Sequence, residues 1–173
     1  MDADALLSDP RLTAAGLLSE SAAALEDLAA LQAAEHGLTF VEFIVLLRLA
    51  RTPGQSLRMA DLAAQVLLSP SGLTRVADRM ERDGLIRRRA CRNDRRGTNA
   101  EITPLGHDRL LETLPGHLEL LEREYVGRLE PDQLACVVEG LRVVRDGIHA
   151  GATAGAEGLD QTPVAAGARA GRC

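Results

Sequence analysis

The chain has 173 residues, 46% of them hydrophobic and 26% charged, and a formal net charge of −5. That length suits one domain able to bury its own core. No apolar run approaches the roughly 18 residues a membrane span needs, and an N-terminus carrying Asp2 and Asp4 lacks the basic start of a secretion signal, so the expectation is a cytoplasmic protein with no membrane partner.

Asp9-Pro10 is a helix start, an aspartate cap followed by proline at the first helical position, where its missing N–H is harmless. The helix it opens runs to about Glu35, with Leu17, Leu18, Ala24, Leu25, Leu28 and Leu31 as its apolar stripe. Gly37 ends it. Thr39 and Glu42 then form a T-x-x-E capping box for a second helix, with Phe40, Phe43, Ile44 and Leu47 on one face. Thr52-Pro53-Gly54 stops that helix in a turn.

A short helix over residues 59–67 turns Leu62, Ala63 and Val66 inward, and Ser69-Pro70 starts another that runs to about Arg82. In the latter, Leu73, Val76, Ala77 and Met80 follow the i, i+3, i+4, i+7 pattern of a core face. The opposite face presents Ser71, Thr74, Arg75, Asp78, Arg79 and Arg82, and Gly84 closes the helix in a left-handed conformation. Residues 85–90 and 98–103 read as two strands around a hydrophilic loop, residues 91–97, too long for a tight two-residue hairpin. Thr103-Pro104 opens a long helix to about Arg128, expected to kink at Pro115-Gly116. Glu130-Pro131 opens a last helix ending near His149, and residues 150–173, rich in alanine and glycine, are expected to be disordered.

The negative charge is unevenly spread. Residues 71–100 hold nine arginines against four acids, a local balance of +5 that leaves −10 for the remainder. A basic face on an acidic body is the footprint of phosphate binding. The chain contains no lysine; a GC-rich genome accounts for that, although arginine is also the better residue for bidentate contacts. Cys91, Cys136 and Cys173 are scattered, which fits free thiols better than a disulfide framework. No nucleophile motif, glycine-rich phosphate loop or HExxH is present, so an enzyme is not expected. His36, His107, His117 and His149 are equally dispersed, and neither a metal nor a cofactor is expected.

The element order is that of a winged helix-turn-helix, mainly α with a small β wing. The second short helix can enter a major groove and the arginine-tipped hairpin a neighbouring minor groove. From Leu38 to Ile148 the chain resembles the MarR (multiple antibiotic resistance regulator) family. The residues that carry the likeness are L-T-F-V-E-F from Leu38, D-L-A-A-Q-V-L-L-S-P-S-G-L-T-R-V-A-D-R-M-E-R-D-G-L-I-R-R from Asp61, N-D-R-R-G from Asn93, I-T-P-L-G from Ile102 and L-E-P-D-Q-L from Leu129.

The resemblance implies a homodimeric repressor of transcription that binds double-stranded DNA at a pseudo-palindromic operator. It implies dimerisation helices in 1–37 and 104–149, a DNA-binding domain over 38–103, and a tail from 150 to 173. Ser69, Ser71 and Thr74 match positions that approach phosphates or base edges; Arg75 matches the base-reading region, with Arg79 one turn further on. Arg87, Arg88 and Arg89 alternate along a strand, and Arg88 is taken as its phosphate contact. Arg95 and Arg96 match the minor-groove arginines, and Asp94 the acid that stiffens the wing. Two departures stand out: Gly72 replaces a commoner hydroxyl residue, and Arg58 occupies a usual capping position.

A small-molecule effector, as relatives bind, would be lined here by His36, Phe40, Phe43, Arg48 and His107, although both phenylalanines also fit a plain core. Cys91, among arginines that would favour its thiolate, is either a redox switch or an incidental strand residue. A DNA-bending protein would share the basic face, but the acidic body and single recognition helix fit it less well.

Overall fold

The computed structural model describes residues 3–91 and 94–154, the side chains of Ala5 and residues 94–96 excepted. Seven helices and three strands follow in order: α1 (Ala3–Leu7), α2 (Pro10–Glu35), α3 (Phe40–Arg51), β1 (Ser56–Arg58), α4 (Met59–Gln65), α5 (Pro70–Arg82), β2 (Ile86–Cys91), β3 (Asp94–Ile102), α6 (Pro104–Glu124) and α7 (Pro131–Ile148). The strands form one antiparallel sheet in the order β1-β3-β2.

The helix starts lie where the cap residues put them. Asp9 accepts from the Arg11 N–H, Ser69 from Gly72, and Thr103 from Gly106. Thr39 and Glu42 exchange both bonds of a capping box. Gly37 and Gly84 take φ values of 71° and 73°, the left-handed conformation that ends α2 and α5. Arg58 precedes α4 without a side-chain cap bond, the defect its position suggested.

Five features depart from the sequence reading. Strand β1 was not expected; Ser56, Leu57 and Arg58 pair with Glu101, Ala100 and Asn99, and Leu57 is buried. Three residues are too few to show the alternation that reveals a strand. The loop of residues 91–97 is also shorter than read, because the β2–β3 ladder continues, with a register shift after Ala90, to Cys91 opposite Asp94. Helix α6 stops at Glu124, short of Arg128, and a 3₁₀ turn at Val126–Arg128 follows it. The segment after α7 does not begin a tail at residue 150: Ala152 is buried and the Gln65 amide donates to the Ala154 carbonyl at 2.6 Å. Finally, Cys91 is a free thiol, donating to Asn99 Oδ1, but Cys136 is disulfide-bonded.

The core lies inside the winged domain. Phe43, Val45, Leu46 and Leu49 of α3 pack with Leu57, Leu62, Leu73, Ala77, Met80, Leu85, Ile86, Ala100, Ile102 and Leu110. Helix α2 touches this core only through its end, Ala33, while Leu17, Leu18, Leu28 and Leu31 stay exposed. Leu111 and Leu118 of α6 and Val143, Val144 and Ile148 of α7 are exposed as well. A single copy therefore leaves a large apolar surface on its terminal helices uncovered.

Candidate nucleic-acid interface

Helix α5 owes its position to its sequence at both ends. Ser69 Oγ accepts from Gly72 N at 3.0 Å and lies 3.2 Å from Ser71 Oγ, which pins the first turn. Leu73, Ala77 and Met80, almost fully buried, fix its inner face. The outer face therefore projects Ser71, Thr74, Arg75, Asp78 and Arg82. The Thr74 hydroxyl donates back to the Pro70 carbonyl at 2.8 Å. Arg75 is exposed and makes no ion pair among the described residues.

Arg79, expected beside Arg75 on the DNA face, is occupied inward. Its Nε donates to Glu42 Oε1 at 2.6 Å and its Nη2 to Thr39 Oγ1 at 3.4 Å. Glu42 has only 6% of its side chain exposed. Burial pushes its carboxyl up, but the Thr39 N–H, the Arg79 guanidinium and the Thr39 hydroxyl together hold it below the usual carboxylate range.

Arg88, expected to touch phosphate, is also engaged. Its guanidinium lies 2.7 Å from both Asp78 Oδ1 and Glu81 Oε2, and its own N–H donates to Glu81 Oε1 at 2.8 Å. That backbone bond, with the side-chain bond behind it, lowers the Glu81 carboxyl; reciprocally, the bond to Glu81 raises the Arg88 guanidinium. Arg88 thus ties the wing to α5. Arg87 and Arg89, two residues apart on one face of β2, share Glu101 of β3 at 2.7 and 3.2 Å. Between α5 and the wing lies an open cleft of about 450 Å³ lined by Arg58, Met59, Ala60, Thr74, Arg88, Gly97 and Thr98. The side chains of Asp94, Arg95 and Arg96 lie outside the described residues, though their backbone belongs to β3.

The residues named for an effector are placed differently from one another. Phe43 is fully buried core, and Phe40 packs half-buried against that core. His36 caps the end of α2, where its carbonyl accepts from Arg109 at 2.8 Å. Arg48 and His107 are half-buried. The histidine that meets Phe43 is His117, with ring centroids 4.6 Å apart. His117 and Gln32 are buried where α2, α3 and α6 converge; Gln32 Nε2 donates to the Thr113 carbonyl at 3.0 Å. His117 Nδ1 and Gln32 Oε1 have no hydrogen-bond partner among the described residues, and burial lowers the imidazole's pKa. Neither residue was singled out from sequence. The available signal was their phase, since His117 falls seven residues after buried Leu110 and three before buried Leu120.

Helix α4, the turn after it, helix α5 and the β2–β3 hairpin with β1 make up a winged helix-turn-helix. Residues 36–97 match the model of the MarR family. The chain is 31% identical over 108 residues to the transcriptional repressor MprA of Escherichia coli, an alignment covering 61% of each, so it spans less than two thirds of that relative's length. It is 32% identical over 110 residues to the HTH-type transcriptional regulator MhqR of Bacillus subtilis, covering 64% of this chain and 74% of MhqR. Among solved structures, AbsC, a MarR family regulator from Streptomyces coelicolor, superposes with a TM-score of 0.76 at 27% identity, over 83% of this chain and 97% of AbsC. Sco3205 from the same organism, solved in complex with DNA, gives 0.73 at 32% identity, over 80% and 86%. The chain belongs to the MarR family of transcriptional regulators. The relatives named are regulators, not enzymes. No single helix among the described residues is long and apolar enough to cross a membrane.

Proposed function

We propose that this protein is a cytoplasmic repressor that binds a pseudo-palindromic DNA operator as a homodimer and releases it when a small molecule binds. The observation that carries the DNA reading is Arg75: an exposed arginine without an ion pair among the described residues, beside Ser71 and Thr74, on a helix facing an open cleft walled by the wing. Such a helix fits a major groove, where an arginine reads guanine through two hydrogen bonds. The DNA complex of Sco3205 supports the same reading.

The dimer is supported by the exposed leucines and valines of α2, α6 and α7, which a second copy would cover. Two winged domains, each spanning 38–103, would then read half-sites about one helical turn apart. Release by an effector is supported by the unpartnered polar atoms of Gln32 and His117, because buried polar groups without partners are uncommon and a ligand can satisfy them.

The test is to select a duplex from a random-sequence library with the full chain, then follow its binding by fluorescence anisotropy as salt rises. Affinity should fall steeply as arginines displace condensed counterions. Binding indifferent to salt, or no selected sequence, would refute the reading. Arg75→Ala should relax base choice and cost about 1–3 kcal/mol at the base pair it reads.

A further inference from the structure

We propose that Glu42 and Arg79 are positioning residues for DNA recognition: their ion pair fixes the rotation of α5 against the corner where α2 passes into α3. The inference rests on the DNA reading above and concerns two residues that need not touch DNA.

The pair joins the middle of the recognition helix to the first turn of α3, 37 residues away in sequence. The α3 end is anchored twice over, since Glu42 Oε2 accepts from both the Thr39 N–H and hydroxyl at 2.8 Å. Three residues before that cap, Arg109 of α6 donates to the carbonyl of His36, the residue that caps α2, at 2.8 Å. The end of α2 and the long helix α6 are therefore joined just before the cap from which Glu42 reaches α5.

Apolar packing of Leu73, Ala77 and Met80 fixes the inner face of α5, but apolar contacts carry no direction of their own. A guanidinium bonded through Nε to one buried carboxylate oxygen has a direction as well as a distance. The pair is only half-buried, with Glu42 6% and Arg79 44% exposed, so its contribution to net stability is small and its main effect is to hold α5 at one bearing. Arg75 lies one turn before Arg79 on the same side of the helix, so its bearing follows that of Arg79. In a dimer, that bearing sets how far apart the two reading faces stand.

The experiment uses the full chain and the duplex it selects, together with versions whose half-sites are one base pair closer or further apart and a scrambled duplex. Circular dichroism and solution mass confirm folding and assembly. Arg79→Gln and Glu42→Gln should each weaken binding to the selected duplex roughly tenfold and flatten the preference for its spacing. Scrambled-duplex affinity and salt dependence should stay as in the parent, the double variant should be no weaker than either single one, and Arg79→Lys, which keeps the charge but loses the directed Nε bond, should restore only part of the loss.

A direct phosphate contact predicts otherwise. Arg79→Gln would then lower scrambled-duplex affinity and the salt slope, while Glu42→Gln, by releasing Arg79, would bind as well as the parent or better. That result overturns the inference, as does parental spacing preference in both variants. Should Glu42→Gln fail to fold, the salt slope and spacing preference of Arg79→Gln decide the matter. A parent that selects no duplex defeats the DNA reading itself, whereas a parent that selects one while its variants keep its spacing defeats only the strut.

Discussion

Gly106 offers the sharpest test of how the wing is joined to the long helix. It is the third residue of α6, and its N–H donates to the Thr103 hydroxyl at 3.0 Å. A Cβ placed there would stand 2.0 Å from the Leu85 carbonyl oxygen, 2.9 Å from its carbon and 3.1 Å from Leu46 Cδ2. Ordinary carbon–oxygen contact begins near about 3.3 Å, so something must move by more than an ångström. Leu85 resists: it is 6% exposed, its oxygen accepts from both the N–H and the hydroxyl of Thr103, and its N–H donates to Met80. Overpacking of a core commonly costs about 1–3 kcal/mol, and displacing α6 also loosens two hydrogen bonds worth about 1 kcal/mol each. Alanine's better helix propensity returns at most about 1 kcal/mol. Gly106→Ala should therefore lose roughly 3 kcal/mol in urea unfolding and lower the melting temperature by about 10 °C. A variant within about 1 kcal/mol of the parent would show that α6 retreats freely from Leu85, and the steric account of the T-P-L-G start would fail.

Three further outcomes follow from the same contacts. Arg88→Ala should destabilise the fold by about 1 kcal/mol in urea, since its two partly exposed ion pairs are worth little individually, and should leave the salt slope of DNA binding unchanged; a slope reduced by about one would make Arg88 a phosphate contact after all. His117 carries a pKa lowered by burial, so the unfolded chain takes up a proton first, and stability should fall as pH drops below the ordinary histidine value. His117→Phe should lose less on going from about pH 7.5 to pH 5.5, measured as melting temperature, and a loss equal to the parent's would exclude His117 as the source. A chain ending at His149 should be about 1 kcal/mol less stable in urea than one ending at Ala154, because Gln65 loses its acceptor and the site of Ala152 is opened; equal stabilities would show that this contact contributes nothing.

The sequence was most legible where structure is decided locally. A cap residue and the proline after it act within one turn, so Asp9-Pro10, Ser69-Pro70 and Thr103-Pro104 could be read as helix starts without reference to the rest of the chain. The inner face of α5 was equally plain, because Leu73, Ala77 and Met80 repeat with the helix. Strand β1 escaped notice because its three residues are held by partners more than forty positions away. The segment after α7 escaped for a similar reason: a run of alanine and glycine looks unstructured until the Gln65 amide supplies a donor. Gln32 and His117 lie in helical phase with buried neighbours, but whether a polar residue in such a phase has a partner depends on the facing helices.

Some of the interface arginines are paired by acids from outside their own stretch of sequence. The balance of +5 over residues 71–100 tallies only acids within that stretch, yet two of the acids that matter lie outside it. Glu42 reaches in from α3 to hold Arg79, and Glu101 from the next part of β3 to hold both Arg87 and Arg89. Asp78 and Glu81, within the stretch, are both spent on Arg88. Four of the nine arginines thus serve first as ties between helix and wing, between strands, or between α5 and α3. Arg75 and Arg82 of α5 remain exposed and without ion pairs among the described residues. A face built this way is basic enough to attract a duplex, but its specificity has to come from a few arginines held at fixed bearings by the many that are tied down.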